Sequence, residues 1–579
     1  MKKKVLLFGA SELGKVALEL LKEEYNILYF VDNDINKDGI EFCGITILYP
    51  QKISDIIFDK VIITSQYSAE IAEQLYCMGI KNIYIFSYYI ESYSYRKKFS
   101  IIKAKKLNFS NKDFNFKNFT KKKCTKNNLN SNIKYYKKNV LFFAISFPPC
   151  GGSGVQRSLK FVKYLRDYGY NPIVVTLDET YNFWGIDYSL LDELSEDIQI
   201  IRIKQPYLNV FEINEEKAIE ILSLIYGVLE NSELSEALIS RLQEHNFLNR
   251  KYIFEPDIFI AWVNEVIKNI NKLIDFKKID VLYTTGDPYS NHLNGYYLKK
   301  MYNIPWIADF RDEWTNSPYV NNFYKNDNFK LDLNKSIENS IVNFADKVIT
   351  VTPNSSQNYR NIFNLPYNKV CTITNGYDED DFNNVKDNYT KNEKFTILYY
   401  GTLYLNRNLS KIIDSINNLI ENQYIKKSEI ILKIIGKSDN LIKNSMLRND
   451  KFGVLEFIDY LPHKKCLEEG AKSDMLVLYV GEEDEFKSVY PGKVFEYLRL
   501  LKPIIAISPK NSEVEQLLIT TKRGENFNTT NYARIKDFIL NYYNNWEIVT
   551  LEKLELKSIQ KYERQELTMS LSKLFDEMN

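Results

Sequence analysis

The chain has 579 residues, 45% hydrophobic and 26% charged, with a formal net charge of +1. That is a globular composition with material for several cores, and at roughly 150 residues per domain it implies about three or four domains. With 21 glycines and 15 prolines it is neither collagen-like nor a Pro/Gly-rich disordered chain, and no run of about 18 apolar residues offers a membrane-spanning helix.

The opening MKKKVLLFGASELG sets basic residues before an apolar run. That run covers only Val5 to Phe8 and enters a glycine turn, so no signal peptide is expected. Instead a strand (4–8), a glycine turn (Gly9 to Gly14), a helix to Leu21 and a second strand (27–31) ending at Asp32 follow one another. This is the order of a dinucleotide-binding unit. Gly9 would serve the tight turn, Gly14 the close helix–strand packing and Asp32 a ribose. Ser11 stands where the middle glycine would let a pyrophosphate approach. Strands at 60–64 and 82–86 complete a small parallel sheet. A Rossmann-shaped unit without a dinucleotide fits these residues as well.

Residues 96–138 hold fifteen Lys/Arg and one acid, Asp113, so they carry +14 and the rest of the chain −13. They read as a basic flexible linker with a short helix near 101–107. A solvated spacer is the plain reading. A basic arm on an anionic membrane surface is the sharper one, at about 1 kcal/mol per basic residue, with Phe109, Phe114, Phe116 and Phe119 entering the interface. No folded nucleic-acid reader accompanies it, and no nucleic acid is expected.

A second opening joins a strand at 139–146, reading VLFFAIS, to FPPCGGSG (147–154), a helix (155–168) and a strand (172–177). Glycines between a strand and a helix start let backbone N–H groups meet a diphosphate, although Gly-Lys-Ser/Thr is missing. Further on, a strand (281–284) meets the turn Gly286-Asp-Pro-Tyr-Ser290. A helix follows, with Ser290 as its expected cap. A buried strand (306–310) then delivers Asp309, Arg311 and Asp312 at its carboxyl end, where ligands of open α/β sheets bind. An Arg311–Asp structural pair is the plain alternative.

The third opening is a strand (395–400), then Gly401 to Arg407 and a helix. Strands follow at 430–435, 454–458 and 475–480. In SVYPGKVFEYLRLLKPIIAIS, Pro491 and Gly492 open a helix carrying Lys493 and Glu496 in its first turn. Glu496 can offer two oxygens to ribose hydroxyls, and Arg407 and Lys493 can neutralise a leaving diphosphate.

Residues 2–90 resemble the Rossmann-type domain that precedes sugar-modifying enzymes of surface-polysaccharide pathways. That domain is related to the N-terminal domain of sugar acyltransferases and to CoA-binding-like domains of nucleotide-sugar epimerases. FGASELGKVALELL, YFVDND, GITIL and DKVIITS carry this likeness. The resemblance implies a nucleotide-type ligand at Gly9, Ser11, Gly14 and Asp32.

Residues 139–579 resemble retaining glycosyltransferases of the GT-B fold, the family 4 group. The motifs are FPPCGGSGVQR, PDIFIAWVNEV, TTGDPYSNHLNGYYLKK, IPWIADFRDEW, ADKVITVTPNSS, TITNGYDEDDF, YYGTLY, FIDYLPHKK and PGKVFEYLRLLKPI. The resemblance implies an α/β protein of three Rossmann-like domains. They are 1–93, then after a linker (94–138) an acceptor domain (139–345) and a donor domain (346–545), with a cleft between these two and a helix crossing back (546–579). It further implies donor contacts from Gly151, Gly152, Arg407, Lys493, Glu496 and Gly492. Glu496 matches the second acid of the family's paired-glutamate motif. The first acid's position holds Ser488, with Glu485 close by as a substitute. His463 matches a helix-entry position near the base. Asp309, Arg311 and Asp312 match the cleft floor, and His292 a helix start facing it. Asp312 is the residue expected to orient the acceptor or handle its proton.

The implied reaction moves a sugar from a UDP- or GDP-type nucleotide-sugar to a glycan or lipid-linked acceptor, with retention. Arg407, Lys493 and backbone N–H groups would stabilise the diphosphate without a metal. Three histidines (His245, His292, His463) and six scattered cysteines without a Cys-x-x-Cys pair show no zinc pattern, and Asp378 to Asp381 reads as an acidic loop. The setting expected is cytoplasmic, peripheral on the inner membrane face. Two alternatives stand beside it. One is a catalytically reduced nucleotide-sugar-binding scaffold. The other is epimerase or dehydrogenase activity in the first domain, against which no Tyr-x-x-x-Lys pair occurs in 1–93.

Overall fold

The computed structural model describes residues 2–91, 96–107, 109, 138–178, 186–230, 232–244, 246–319, 324, 327–383, 392–403, 408–438, 440–546 and 557–578. Three doubly wound α/β units follow one another. The first has strands β1 (Lys4–Phe8), β2 (Asn26–Val31), β3 (Glu41–Phe42), β4 (Ile45–Leu48), β5 (Lys60–Ile63), β6 (Ile83–Glu91) and β7 (Arg96–Lys103). Their order is β3-β4-β2-β1-β5-β6-β7. The second comprises β8 (Lys138–Phe143), β9 (Tyr170–Leu177), β10 (Ile200–Ile203), β11 (Val281–Gly286), β12 (Trp306–Phe310), β13 (Lys347–Thr350) and β14 (Val370–Thr372). Its order is β10-β9-β8-β11-β12-β13-β14, parallel throughout. The third holds β15 (Phe395–Tyr400), β16 (Ile430–Ile435), β17 (Leu455–Ile458), β18 (Met475–Tyr479), β19 (Ile504–Ile507) and β20 (Gly524–Phe527). Its order is β17-β16-β15-β18-β19-β20, again parallel.

In each of the last two sheets the first strand lies between the second and the fourth. Strand order therefore reverses beside β8/β11 and beside β15/β18. A crevice opens outside the carboxyl ends of the strands at such a point. Apolar strands such as VLYTTG (β11) and MLVLY (β18) are buried along their whole length, as a sheet covered on both faces requires.

The structure moves several boundaries. β7 pairs antiparallel with β6, so the first unit runs to Lys103 instead of ending at 93, and the expected helix near 101–107 is strand to Lys103. The reason is period two: Ile101 packs on one face of the sheet and Ile102 on the other. Leu107 and Phe109 are buried in the core of the second unit, so Phe109 is not available to a membrane interface. Phe114, Phe116 and Phe119 lie outside the described residues. The second unit does not stop at 345. The helix Asn328–Phe344 returns the chain to β13, which extends the same sheet by pairing with β12.

The first unit docks on the stretch between β10 and the helix Ile260–Leu273. Val210, Phe211 and Phe247 share a core with Ile71, Leu75 and Ile85. Phe247 N–H donates to Glu73 at 2.6 Å and Ser87 to Glu212 at 2.7 Å. At the other end, the helix Arg564–Asp576 lies against the second unit, with Leu571 and Phe575 buried beside Phe142 and Tyr283.

Candidate active site

The glycine loop follows β8. Gly152 has φ +101°, a left-handed conformation that a side chain would strain, and it is the last residue before the helix Ser153–Tyr164. Gly151 is buried and Gly152 exposed. Arg311, at the end of β12, clamps this loop to β11. Its guanidinium donates to the carbonyls of Gly154, Gly286 and Asp287 and to the Asp287 carboxylate at 3.0 Å. A Cβ on Gly154 would come within 2.5 Å of it. Arg311 therefore positions the loop.

Asp309 is not placed for chemistry, contrary to expectation. It is fully buried and accepts from Arg157 Nε at 2.7 Å and Nη2 at 3.0 Å and from the Tyr283 hydroxyl. Arg157 also donates to the carbonyls of Ile373 and Thr374, so this closed pair ties the glycine-loop helix to the segment leading into the third unit. Asp309 lies in the sheet body because side chains alternate along β12, which turns it inward while its neighbours lie at the strand end.

Asp312 differs. It is exposed and its carboxylate has no hydrogen-bond partner among the described residues. Water reaches one side while protein walls the others. That desolvation, with Asp287 next, pushes its carboxyl up to about 6. Asp287 was not foreseen, although it sits in the quoted TTGDPYS motif. Ser290 does not cap the following helix; its N–H and hydroxyl both go to Asp257.

His292 is fully buried and stacks on Phe310. Trp306 Nε1–H donates to Thr284 Oγ1 at 2.9 Å, and that oxygen lies 2.8 Å from His292 Nδ1. The indole N–H donates to the hydroxyl oxygen, which can then donate to Nδ1 of a neutral imidazole whose proton is assigned to Nε2. Burial, then Arg311, pushes the imidazole down to about 3, so it is neutral. Its Nε2 has no partner and faces the Cα of Gly286, where a Cβ would stand 2.7 Å away.

The third unit supplies a charged floor. Gly401 (φ +134°) ends β15 and Gly436 (φ +124°) ends β16. A Cβ on Gly436 would come within 2.6 Å of the Gly401 carbonyl, so these glycines let two strand ends touch. Lys493 Nζ donates to the Tyr400 carbonyl at 2.8 Å and lies 3.8 Å from the Tyr399 ring centre. Glu496, on the same short helix, accepts from the Tyr400 hydroxyl at 2.8 Å and pairs with His463 Nε2 at 2.8 Å. Burial alone would push His463 down, but Glu496 and then Asp381 outweigh it and raise the imidazole to about 9. Burial opposes the Glu496 charge as well, yet His463, Tyr400 and Arg564 hold its carboxyl below the usual range. His463 does start a helix, Pro462 being its N-cap, and its role as partner of Glu496 was not foreseen. Gly492 precedes Lys493 as the N-cap. Arg407 lies outside the described residues. Ser488 is half-buried and Glu485 exposed on the preceding turn.

The two floors meet at the linking segment. Lys160, on the glycine-loop helix, reaches Glu193 at 2.5 Å, Asp378 at 2.6 Å and Asp381 at 3.1 Å. Three converging acids could suggest a cation site, but the buried Lys160 ammonium already stands among them. Asn354 N–H donates to Glu513 at 2.7 Å, and the Tyr319 and Phe486 rings meet edge to face at 5.6 Å, joining the units elsewhere.

In the first unit, Ser11 caps its helix by accepting from Gly14 N–H, and Asp32 accepts from Ala10 N–H at 3.1 Å and Lys37 at 3.0 Å. Gly9 and Gly14 are held by close contacts with Thr64 and Phe30. The four residues cluster at the ends of β1 and β2, and each has a partner inside the unit.

Among the described residues, no helix is long and apolar enough to cross a membrane. Residues 1–86 match the family C2185-like, N-terminal, and residues 237–381 match Glycosyltransferase Family 4. No curated protein matches the chain. Among solved structures, a glycosyltransferase from Rickettsia africae ESF-5 is 13% identical at TM-score 0.47, with 77% of this chain and 99% of that one covered. Anabaena Alr3699/HepE in complex with UDP and glucose is 12% identical at TM-score 0.49, with 76% and 99% covered. Sucrose-phosphate synthase from Thermosynechococcus elongatus is 13% identical at TM-score 0.48, again with 76% and 99% covered. The likeness to Glycosyltransferase Family 4 thus falls on residues 237–381, the stretch that carries β11, β12 and β13 of the second unit.

Proposed function

We propose that the chain transfers a sugar from a UDP- or GDP-type nucleotide-sugar to a glycan or lipid-linked acceptor, with retention at the anomeric carbon. The observation that carries this is the Glu496–His463 pair beside Lys493 at the carboxyl end of β15, within electrostatic reach of Asp381 on the linking segment. Breaking a sugar–phosphate bond leaves an oxocarbenium-like sugar and a diphosphate. A floor with Lys493 and protonated His463 stabilises the anion, while Glu496, kept ionised, accepts ribose hydroxyls on its remaining lone pairs. On the facing floor, Asp312 accepts a hydrogen bond from the attacking acceptor hydroxyl. The leaving diphosphate takes the proton on the same face, which gives retention. The glycine loop, clamped by Arg311, closes over the phosphates.

A thermal-shift screen of the full chain with UDP-, GDP-, ADP- and dTDP-sugars tests the reading. A true donor at about 100 Kd stabilises by about 2.7 kcal/mol. Donor turnover with Arg407→Ala and Glu496→Ala then separates a transferase from a binding scaffold, which binds without turnover. No shift with any sugar nucleotide rejects both. For the first unit we keep a nucleotide-type ligand, which would have to displace Lys37 from Asp32; NAD and CoA in the same screen check it. We place the enzyme in surface-glycan synthesis at the inner membrane face. Co-sedimentation with anionic but not neutral vesicles, lost in high salt, checks the role of residues 96–138.

A further inference from the structure

The helix that crosses back begins with Arg564. Its backbone is pinned: Arg564 N–H donates to the Tyr377 carbonyl at 2.8 Å, and Tyr377 N–H donates to the Tyr562 carbonyl at 3.1 Å. The fit is close, since a Cβ on Gly376 would come within 2.1 Å of the Tyr562 carbonyl. The guanidinium is in an unusual position for an arginine. The residue is 5% exposed, and the side chain has no hydrogen-bond partner among the described residues, with Nη1 fully enclosed. Buried arginines are ordinarily matched by carboxylates, as Arg157 is by Asp309.

The charges acting on Arg564 locate it. They are Arg157 on the glycine-loop helix, Glu496 on the donor floor, and Asp378 and Asp381 on the linking segment. Packing places it likewise. Its helix lies against Phe161 and Val162 of the glycine-loop helix, and the Tyr562 ring, two residues before Arg564, stands 5.0 Å from that of Phe495, next to Glu496. Arg564 thus lies where the helix behind the glycine loop faces the acid proposed to hold the ribose. Burial first, and Arg157 second, push its guanidinium down to about 10 against the pull of the acids, so the free chain pays for keeping this charge. Between a phosphate-binding loop and a ribose-binding acid there is one part of a sugar nucleotide, its diphosphate.

We infer that Arg564 is a phosphate ligand, which meets an oxygen of the donor diphosphate from the crossing helix when the two units close on it. This rests on the nucleotide-sugar reading above and adds to it a cation contributed from outside the donor unit's own loops. Guanidinium forks suit phosphate oxygens in both shape and charge.

The full chain, Arg564→Met and Arg564→Lys are compared for binding of UDP, GDP, uridine and inorganic pyrophosphate, with thermal melts of the free proteins. Expected is about a tenfold or greater loss of UDP (or GDP) and pyrophosphate affinity in Arg564→Met, with uridine binding unchanged. Arg564→Lys should restore part of it. The free Arg564→Met chain should melt at the same or a higher temperature, because it loses an unpaired buried charge. Unchanged pyrophosphate affinity overturns the inference. So does an equal loss for uridine and UDP, or a free variant destabilised in step with its lost affinity, since Arg564 would then be serving the linking-segment acids. If the unaltered chain binds pyrophosphate through Arg564 but neither UDP nor GDP, the nucleotide-sugar reading fails and the phosphate site stands.

Discussion

The carboxyl ends of the second and third sheets are built on one topology and treat charge in opposite ways. On the second, the strong ions are spent internally: Arg157 on Asp309, and Arg311 on backbone carbonyls and Asp287. What stays open there is Asp312, with a raised pKa, while His292 is neutral and buried. On the third, the ions stay charged at the site itself, with protonated His463 against ionised Glu496 and Lys493 one turn away. A floor of neutral and acidic groups suits a hydroxyl about to attack. One that carries cations suits an anion about to leave. In the proposed reaction the chemistry is divided between the floors, since one surface holding both fields would partly quench them.

The largest way to break this contrast is Arg157→Met. It leaves Asp309 buried without its ion partner, a loss of about 3–5 kcal/mol, read by denaturant unfolding. A small loss would mean that the second floor is not held rigid by this pair. Next is Glu496→Gln, which should cost about 2 kcal/mol of nucleotide affinity, the range for hydrogen bonds to charged groups. It should also change the pH dependence of stability. His463 is raised from 6.5 to about 9, so its pairing stabilises fully below 6.5 and is lost as pH rises through about 9. Glu496, held below its usual 4.5, contributes above that value and loses its contribution as pH falls. In Glu496→Gln the alkaline decline should flatten, as melts from neutral to alkaline pH will show.

Asp312→Asn sharpens the contrast from the other side. An acceptor hydroxyl donates to an ionised carboxylate, so transfer should rise as pH passes about 6. The variant should lose that limb and about tenfold or more in rate at higher pH, the range for a hydrogen bond to a charged group, while nucleotide affinity holds. A fall in nucleotide affinity instead would place Asp312 on the donor.

The strands were legible because buried apolar runs such as WIADF and FTILYY declare themselves, and β12 and β15 match their expected bounds. Residues 96–103 were not legible, because the basic run Arg96–Lys98 and the adjacent Ile101-Ile102 pair show no apolar/polar alternation, as edge strands rich in lysine often do not. At the site, the cluster at 309–312 was visible as a group but not residue by residue. Strand alternation buries Asp309 and leaves Asp312 open, a distinction that depends on which face of β12 meets Arg157. His463 and Arg564 were hidden for another reason. What each faces lies on other elements: Glu496 is 33 residues from His463, and the acids acting on Arg564 lie on the linking segment and the donor floor. Sequence spacing carries no trace of such neighbours. Lys160 shows the same: a cation on a helix face in the sequence, and in the fold the occupant of an acidic trio.

The smallest effect separates the first unit from the other two. Its glycine turn has the same strand–turn–helix order, yet its acid is turned back on the loop, where Asp32 holds Ala10 N–H and Lys37. Lys37 is partly exposed, 39% by side chain, and a pair so open to solvent contributes only about 0–1 kcal/mol. Lys37→Ala should therefore leave the melting temperature nearly unchanged while opening one acceptor position on Asp32 Oδ2, which still accepts from Ala10 N–H. If a nucleotide's ribose competes with Lys37 for that oxygen, the variant should bind it more tightly than the unaltered chain, a difference that calorimetry with NAD, CoA and UDP-sugars resolves. If Lys37 instead serves as a phosphate ligand, affinity falls. Either result assigns the turn, whereas a titration with no heat for both proteins makes it an architectural copy of the glycine loop after β8, kept for packing by Gly14 against Phe30.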